Sequence, residues 1–225
     1  MADGFKLGIA LPVTDDRTPT QFWISFTVME KPGNYEFLVP KFYPDNSYDS
    51  RAAVRNALVL QAIDNGCSHL IMMDTDQIYP VNTLQKLLAH GVDVVAAKVH
   101  RRWPPFDPIM YRGELFKYKH IPQEEWKNKE GLFEIDATGT GCILYDMEVF
   151  KNVEYPWYEI LTKSDGSVVG EDICFCSKLR NAGYKIFMDT SVKVGHLSTM
   201  VITESFYEWY TMANNARQNN FQQSK

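Results

Sequence analysis

The sequence predicts an α/β fold in which a mostly parallel central sheet is flanked by helices. Short apolar runs of strand length alternate with amphipathic stretches of helical period, and a parallel strand pair needs such a crossover. The length, 225 residues, suits one continuous domain, because single cores stop growing beyond roughly 250–300 residues.

Residues 6–13 (KLGIALPV) form the expected first strand, closed by Pro12 and by Thr14-Asp15-Asp16. Residues 21–49, with Trp23, Lys31-Pro32-Gly33 and Tyr43-Pro44, have no assigned place on this fold. In residues 50–63 the apolar side chains of Val54, Leu58, Val59, Ala62 and Ile63 follow helical spacing, and Gly66 stops the helix. A second strand is expected at 69–73, then Asp74-Thr75-Asp76, a helix near 81–90 and a third strand at 92–97. Prolines, aromatics and mixed charges between His100 and Gly131 predict a long loop or an irregular hairpin, the kind of segment that carries function. A strand at 133–137 leads into Thr138-Gly139-Thr140-Gly141, an apolar run at 142–145 and a helix at 147–151. Gly170-Glu171-Asp172 opens a further helix ending at Asn181-Ala182-Gly183, and 184–188 reads as a strand. The polar residues from Asn214 onward predict a frayed helix or a mobile tail.

Net charge is −5, from 23 Lys and Arg against 28 Asp and Glu, so no global basic field attracts nucleic acid. A phosphate-bearing ligand must then be held by local charge or by metal. No apolar run reaches the ~18–20 residues that cross a bilayer, and residues 1–6 lack the basic flank of a signal peptide, so a cytoplasmic protein without a transmembrane segment is expected. Cys67, Cys142, Cys174 and Cys176 are too scattered for a disulfide framework, and the C-x-C pair has no second ligand pair for zinc. They are expected to be reduced packing thiols.

Asp74-Thr75-Asp76 directly follows an apolar strand, where the carboxyl edge of a parallel sheet gathers ligands. In an extended segment the side chains at i and i+2 point the same way, so both carboxylates converge on one hard cation, Mg²⁺ or Mn²⁺. The competing reading is a strand-end turn in which an Asp caps the next helix. Glu171-Asp172 and Gly195-His196 supply two more polar clusters, though acidic residues also suit any helix start by ~0.3–1 kcal/mol.

In these segments the sequence resembles the GT-A type of nucleotide-sugar glycosyltransferase, particularly the large inverting group that includes many small bacterial and phage enzymes. The resemblance rests on the first strand with its Pro12-Val13-Thr14 end, Arg55-Asn56 about twenty residues before Asp74-Thr75-Asp76, the Asp136-Ala137-Thr138-Gly139-Thr140-Gly141-Cys142 segment, and Gly170-Glu171-Asp172 followed by Gly195-His196. It spans residues 6–198. It implies a Rossmann-like GT-A sheet with a smaller acceptor-side subregion: a donor-binding half at 1–99, an acceptor-binding and catalytic half at 100–200, and a C-terminal helix or tail at 201–225. It further implies transfer of a sugar from a nucleoside-diphosphate sugar, UDP favoured, to the hydroxyl of a saccharide, glycan or other acceptor.

Carried over residue by residue, the resemblance places Asp76 on the divalent cation, Asp74 on the ribose or beside the metal, and His196 completing the site, which favours Mn²⁺ somewhat over Mg²⁺. Asp172 is the implied general base, with Glu171 holding an acceptor hydroxyl; a helix N-terminus is expected to keep the base ionised and lower its basicity. Pro12, Thr14, Arg55, Asn56, Thr75 and Gly139 are the other implied donor contacts. Asp136, Trp103 and Tyr111 are the implied acceptor contacts, the last two as a platform for sugar stacking. A metal-dependent nucleotidyltransferase and a non-catalytic nucleotide- or carbohydrate-binding module are the alternatives. The loop after the first strand lacks the glycines the first requires, and the presence of every acidic position argues against the second.

Overall fold

An eight-stranded mixed sheet forms the spine of the protein, seen in a computed structural model that describes residues 4–13, 17–40 and 51–223. In chain order the elements are β1 (Leu7–Ala10), α1 (Thr20–Val28), β2 (Tyr35–Leu38), α2 (Arg51–Asp64), β3 (His69–Met73), β4 (Gln77–Ile78), α3 (Thr83–Ala89), β5 (Val94–Val99), β6 (Met110–Arg112), β7 (Lys119–His120), α4 (Gln123–Trp126), β8 (Leu132–Ile135), β9 (Ala137–Thr138), β10 (Cys142–Asp146), α5 (Glu148–Asn152), β11 (Leu161–Thr162), β12 (Val168–Val169), α6 (Glu171–Asn181), β13 (Ile186–His196) and α7 (Glu204–Gln223).

The sheet order is β2-β1-β3-β10-β5-β13-β4, with β8 also paired to β13. Strands β1, β2 and β3 are mutually parallel, as are β5 and β13, while β10 lies antiparallel between β3 and β5. The strands read as continuous apolar runs because both faces of the sheet are covered. Leu70 and Met72 of β3 face one core with Val54, Leu58, Val59 and Ala62 of α2, whereas Ile71 and Met73 face the other with Leu84 and Leu87 of α3. These four β3 side chains are fully buried, and each such burial contributes about 1.5–3 kcal/mol.

The segment without a sequence assignment holds α1 and the edge strand β2. Phe22 and Phe26 of α1 are buried while Trp23, Ile24 and Val28 are exposed, so apolar residues occupy both sides of this helix and no amphipathic period shows. Between His100 and Gly131 the chain forms the irregular hairpin, β6–β7, which joins β9 in a small second sheet. Gly113 closes the turn at φ 124°, and a Cβ there would lie 2.9 Å from the Lys117 carbonyl oxygen. All four cysteines are free and buried, and burial pushes the thiols of Cys174 and Cys176 up to about 11 and about 12. Among the described residues no helix is long and apolar enough to cross a membrane.

Candidate active site

The carboxyl ends of β3 and β13 and the N-terminus of α6 meet at one edge of the sheet, around a cavity of about 160 Å³. Its wall includes Arg55, Asp74, Gln77, Gly139, Asp172 and His196. Arg55, on α2, is the buried link between two of the acidic clusters. Its Nη2 lies 3.0 Å from Asp74 Oδ1, its Nε 3.5 Å from Glu171 Oε1, and Arg51 approaches Glu171 from outside at 3.8 Å. Burial works against the Arg55 charge, but Asp74, Tyr158 and Glu171 outweigh it and hold its pKa above the ordinary value. Removing one partner of so buried a set typically costs ~3–5 kcal/mol, because the rest is left uncompensated.

The two carboxylates of Asp74-Thr75-Asp76 do not converge. The chain turns at Thr75-Asp76 before β4, so the same-side rule for an extended segment does not apply. Asp74 faces Arg55, while Asp76 Oδ2 lies 2.8 Å from Arg102 Nη1 and 3.5 Å from His196 Nε2. The turn is pinned from below: Asp74 N–H donates to the Gly141 carbonyl at 2.8 Å, and the Tyr79 hydroxyl donates to the Asp74 carbonyl at 2.6 Å. A Cβ at Gly141 would lie 2.0 Å from Gln77 Nε2 and 3.2 Å from Asp74 Oδ2. Gln77 is only 2% exposed, and its amide would have to be displaced for a methyl to fit. Gly141→Ala should therefore destabilise the fold by ~1–3 kcal/mol, the usual cost of overpacking. Thermal unfolding reads this as a lower Tm, about 2–4 °C per kcal/mol at this size; an unchanged Tm would show that the turn yields freely.

His196 Nδ1 lies 2.7 Å from the His100 carbonyl oxygen, which fixes that nitrogen as the donor and turns Nε2 toward Asp76. Burial lowers the His196 pKa, but Asp76 and the His100 carbonyl outweigh it and raise it. Burial likewise pushes the Asp76 carboxyl up, yet His196 and Arg102 hold it below the usual carboxylate range. Asp76 Oδ1 and Gln77 Oε1 are buried and take no hydrogen bond. An orphaned carboxylate oxygen beside an oriented imidazole fits a divalent cation. Among the described residues no group of three His, Cys, Asp or Glu converges, so Asp74 does not join Asp76 and His196 as the sequence suggests. Two protein ligands suit a cation whose other positions are filled by substrate phosphate and water.

Asp172 also lines the cavity. Its Oδ1 accepts from the Ile173 N–H at 2.8 Å, and its Oδ2 lies 3.5 Å from where a Cβ on Gly139 would stand. Burial, with the adjacent Glu171 charge, pushes its carboxyl up to about 6. This reverses the expectation drawn from its helix N-terminal position: desolvation outweighs the stabilisation that the first turn of α6 gives a carboxylate.

No family model and no curated protein matches the chain. Solved structures do. GalNAc-T7 with UDP, GalNAc and Mn²⁺ superposes with a TM-score of 0.62 at 12% identity, over 87% of this chain and 44% of that one. A mutant Drosophila β1,4-galactosyltransferase 7 in complex with manganese, UDP-Gal and xylobiose gives 0.51 at 17% identity, over 87% and 71%. A197 from STIV gives 0.53 at 16% identity, over 87% and 86%. The chain has the GT-A glycosyltransferase fold.

On this GT-A sheet the remaining sequence candidates lie outside the cavity wall. Asn56 spends both ends of its amide on the Tyr158 backbone, at 2.7 and 3.0 Å, which ties α2 to the loop before β11. Asp136 accepts from the Gly113 N–H at 2.7 Å and lies 3.3 Å from Arg180, holding the β6–β7 hairpin. Pro12 follows β1, Thr75 sits in the turn, Trp103 is exposed in the loop after β5, and Tyr111 packs its ring 4.5 Å from that of His120. Thr14 lies outside the described residues. Arg51 and Gln77 line the cavity, and Tyr79 and Arg102 contact Asp74 and Asp76, none of them marked out by the sequence motifs. Only Arg102 carried a signal, as part of the basic and aromatic stretch after His100.

Proposed function

We propose that this protein is a metal-dependent glycosyltransferase that moves a sugar from a UDP-sugar to an acceptor hydroxyl with inversion at the anomeric carbon. The observation that carries the reading is one cavity lined by both Asp172 and His196, with His196 Nε2 lying 3.5 Å from Asp76 Oδ2. The GT-A neighbours holding UDP or UDP-Gal together with manganese support it.

In this reading Asp76 and His196 hold a divalent cation, Mn²⁺ or Mg²⁺, on the donor diphosphate. That cation supplies neutralisation of the charge that develops on the β-phosphate as the sugar leaves. Asp74, oriented by Arg55, faces the ribose, and the bare backbone at Gly139 admits the sugar close to the chain. Asp172 Oδ2 accepts the proton of the acceptor hydroxyl as the new C–O bond forms at the anomeric carbon and the bond to the diphosphate breaks. Glu171, committed to Arg55 and Arg51, is the weaker candidate for base and serves to fix the site.

Thermal unfolding with UDP, GDP, CDP and dTDP, each with and without Mn²⁺, tests the reading. UDP with Mn²⁺ at about 100 times Kd should add ~2.7 kcal/mol of apparent stability, a Tm rise of about 5–10 °C. Absence of a Mn²⁺-dependent shift with any nucleotide would overturn it.

A further inference from the structure

Two more grooves are linked to the candidate active site by shared lining residues. The first, of about 330 Å³, shares Gly170 with the cavity and is walled by Tyr111, Phe116 and Tyr118. The second, of about 760 Å³, shares Tyr118 with the first and is lined by Arg112, Lys117 and Lys119. The groove that shares Gly170 with the cavity is the aromatic one, with Lys163 at its side, and the groove that shares Tyr118 with it carries Arg112, Lys117 and Lys119.

Phe116 is the most telling residue of the aromatic groove. It is 45% exposed and sits at φ 70°, a left-handed conformation that a bulky side chain adopts at a cost of about 1–3 kcal/mol. The Lys163 ammonium lies 4.9 Å from the centre of its ring. An exposed aromatic that lines the groove beside Lys163 offers ring surface there, and sugar rings stack their C–H faces on such surfaces. The cations of the second groove are in excess. Arg112 has Glu125 at 3.4 Å, but among the described residues Lys117 and Lys119 have no ion pair. In a chain of net charge −5 this is a local reversal of sign. It also lies away from Asp74, Glu171 and Asp172, whose charges would repel an anion.

We propose that the acceptor is an anionic glycan, bound as an extended chain whose rings stack along Tyr111, Phe116 and Tyr118 and whose acidic groups meet Arg112, Lys117 and Lys119. The proposal rests on the glycosyltransferase reading and adds the acceptor's chemical class. Carboxylate, sulfate and phosphate groups share the chemistry that the cations recognise. A nucleic acid is the less favoured occupant, because the proposed transferase acts on a saccharide acceptor and a net charge of −5 opposes a densely charged polyphosphate more than a glycan with fewer acidic groups.

The test is calorimetric titration of the full chain with tetrasaccharides bearing uronate, sulfate or phosphate, each beside its uncharged counterpart, and with a single-stranded oligonucleotide. At least one anionic tetrasaccharide should bind about tenfold tighter than its neutral form, with the difference shrinking as salt rises. The double substitution Lys117→Ala with Lys119→Ala should remove that difference, and Phe116→Ala should weaken neutral and anionic forms alike. Equal binding of charged and neutral forms, a preference that survives the double substitution, or tighter binding of the oligonucleotide would each overturn the proposal. The UDP and Mn²⁺ thermal shift, measured on the same samples, separates the two readings. A shift without anion preference removes only the acceptor class, and anion preference without a shift removes the transferase reading while the groove's specificity stands.

Discussion

Asp172→Asn should lower kcat by about 10²–10⁴-fold, the usual contribution of a positioned general base, while leaving the UDP and Mn²⁺ thermal shift in place. The amide keeps the shape of the carboxylate, and among the described residues its contact with the Ile173 N–H is the hydrogen bond at risk. Wild-type kcat/KM should rise with pH through about 6 as Asp172 deprotonates, and that acid limb should vanish in the variant. The same shift has a sign for stability. Because folding raises this pKa above the ordinary value of 3.8, protonation favours the folded state. The associated stability is fully present below about pH 4 and is lost as the pH rises through about 6. A neutral Asn should thus raise Tm relative to wild type at pH 7.5 and leave it unchanged near pH 3.5. Glu171→Gln should behave differently, lowering Tm through the loss of a partner for buried Arg55 while the acid limb persists. Full activity in Asp172→Asn would move the base to Glu171 or point to retention of configuration.

The readable parts of this fold are those where one physical rule dominates. Strand β3 and helix α2 were legible because full burial and helical periodicity each leave an unmistakable pattern. The direction of β10 was not, since Cys142–Asp146 is buried on both faces and an apolar run reads the same in a parallel or an antiparallel slot. Helix α1 hid because apolar side chains cover both its sides. At the site, Glu171-Asp172 at a helix start and His196 at a strand end were visible as residue types in order. Their neighbours were not: Arg102 reaches Asp76 from a loop after β5, a contact that only the sheet brings about. The same limit explains the two carboxylates of Asp74-Thr75-Asp76, whose common direction held only for an extended chain.

Asp76→Ala should abolish the Mn²⁺-dependent part of UDP binding, a loss of at least about 100-fold given that even outlying partners of a metal site cost 10–100-fold. It removes the buried oxygen that has no other partner and the carboxylate that faces His196 Nε2. Arg102 makes the measurement more informative. Its Nη1 lies 2.8 Å from Asp76 Oδ2, so a guanidinium now neutralises the carboxylate that a cation would neutralise, and the two compete for it. Arg102→Ala should therefore tighten Mn²⁺ binding without nucleotide, by up to about tenfold for a half-exposed pair, as read by Mn²⁺ paramagnetic resonance or calorimetry. If Arg102→Ala instead weakened UDP binding and left Mn²⁺ affinity unchanged, the arginine would be a phosphate contact and not a competitor. If Asp76→Ala kept its full Mn²⁺ response, the cation would have to sit elsewhere in the cavity, with Asp74 the next carboxylate to remove and Arg55, its ion-pair partner, the reason to expect that it resists the role.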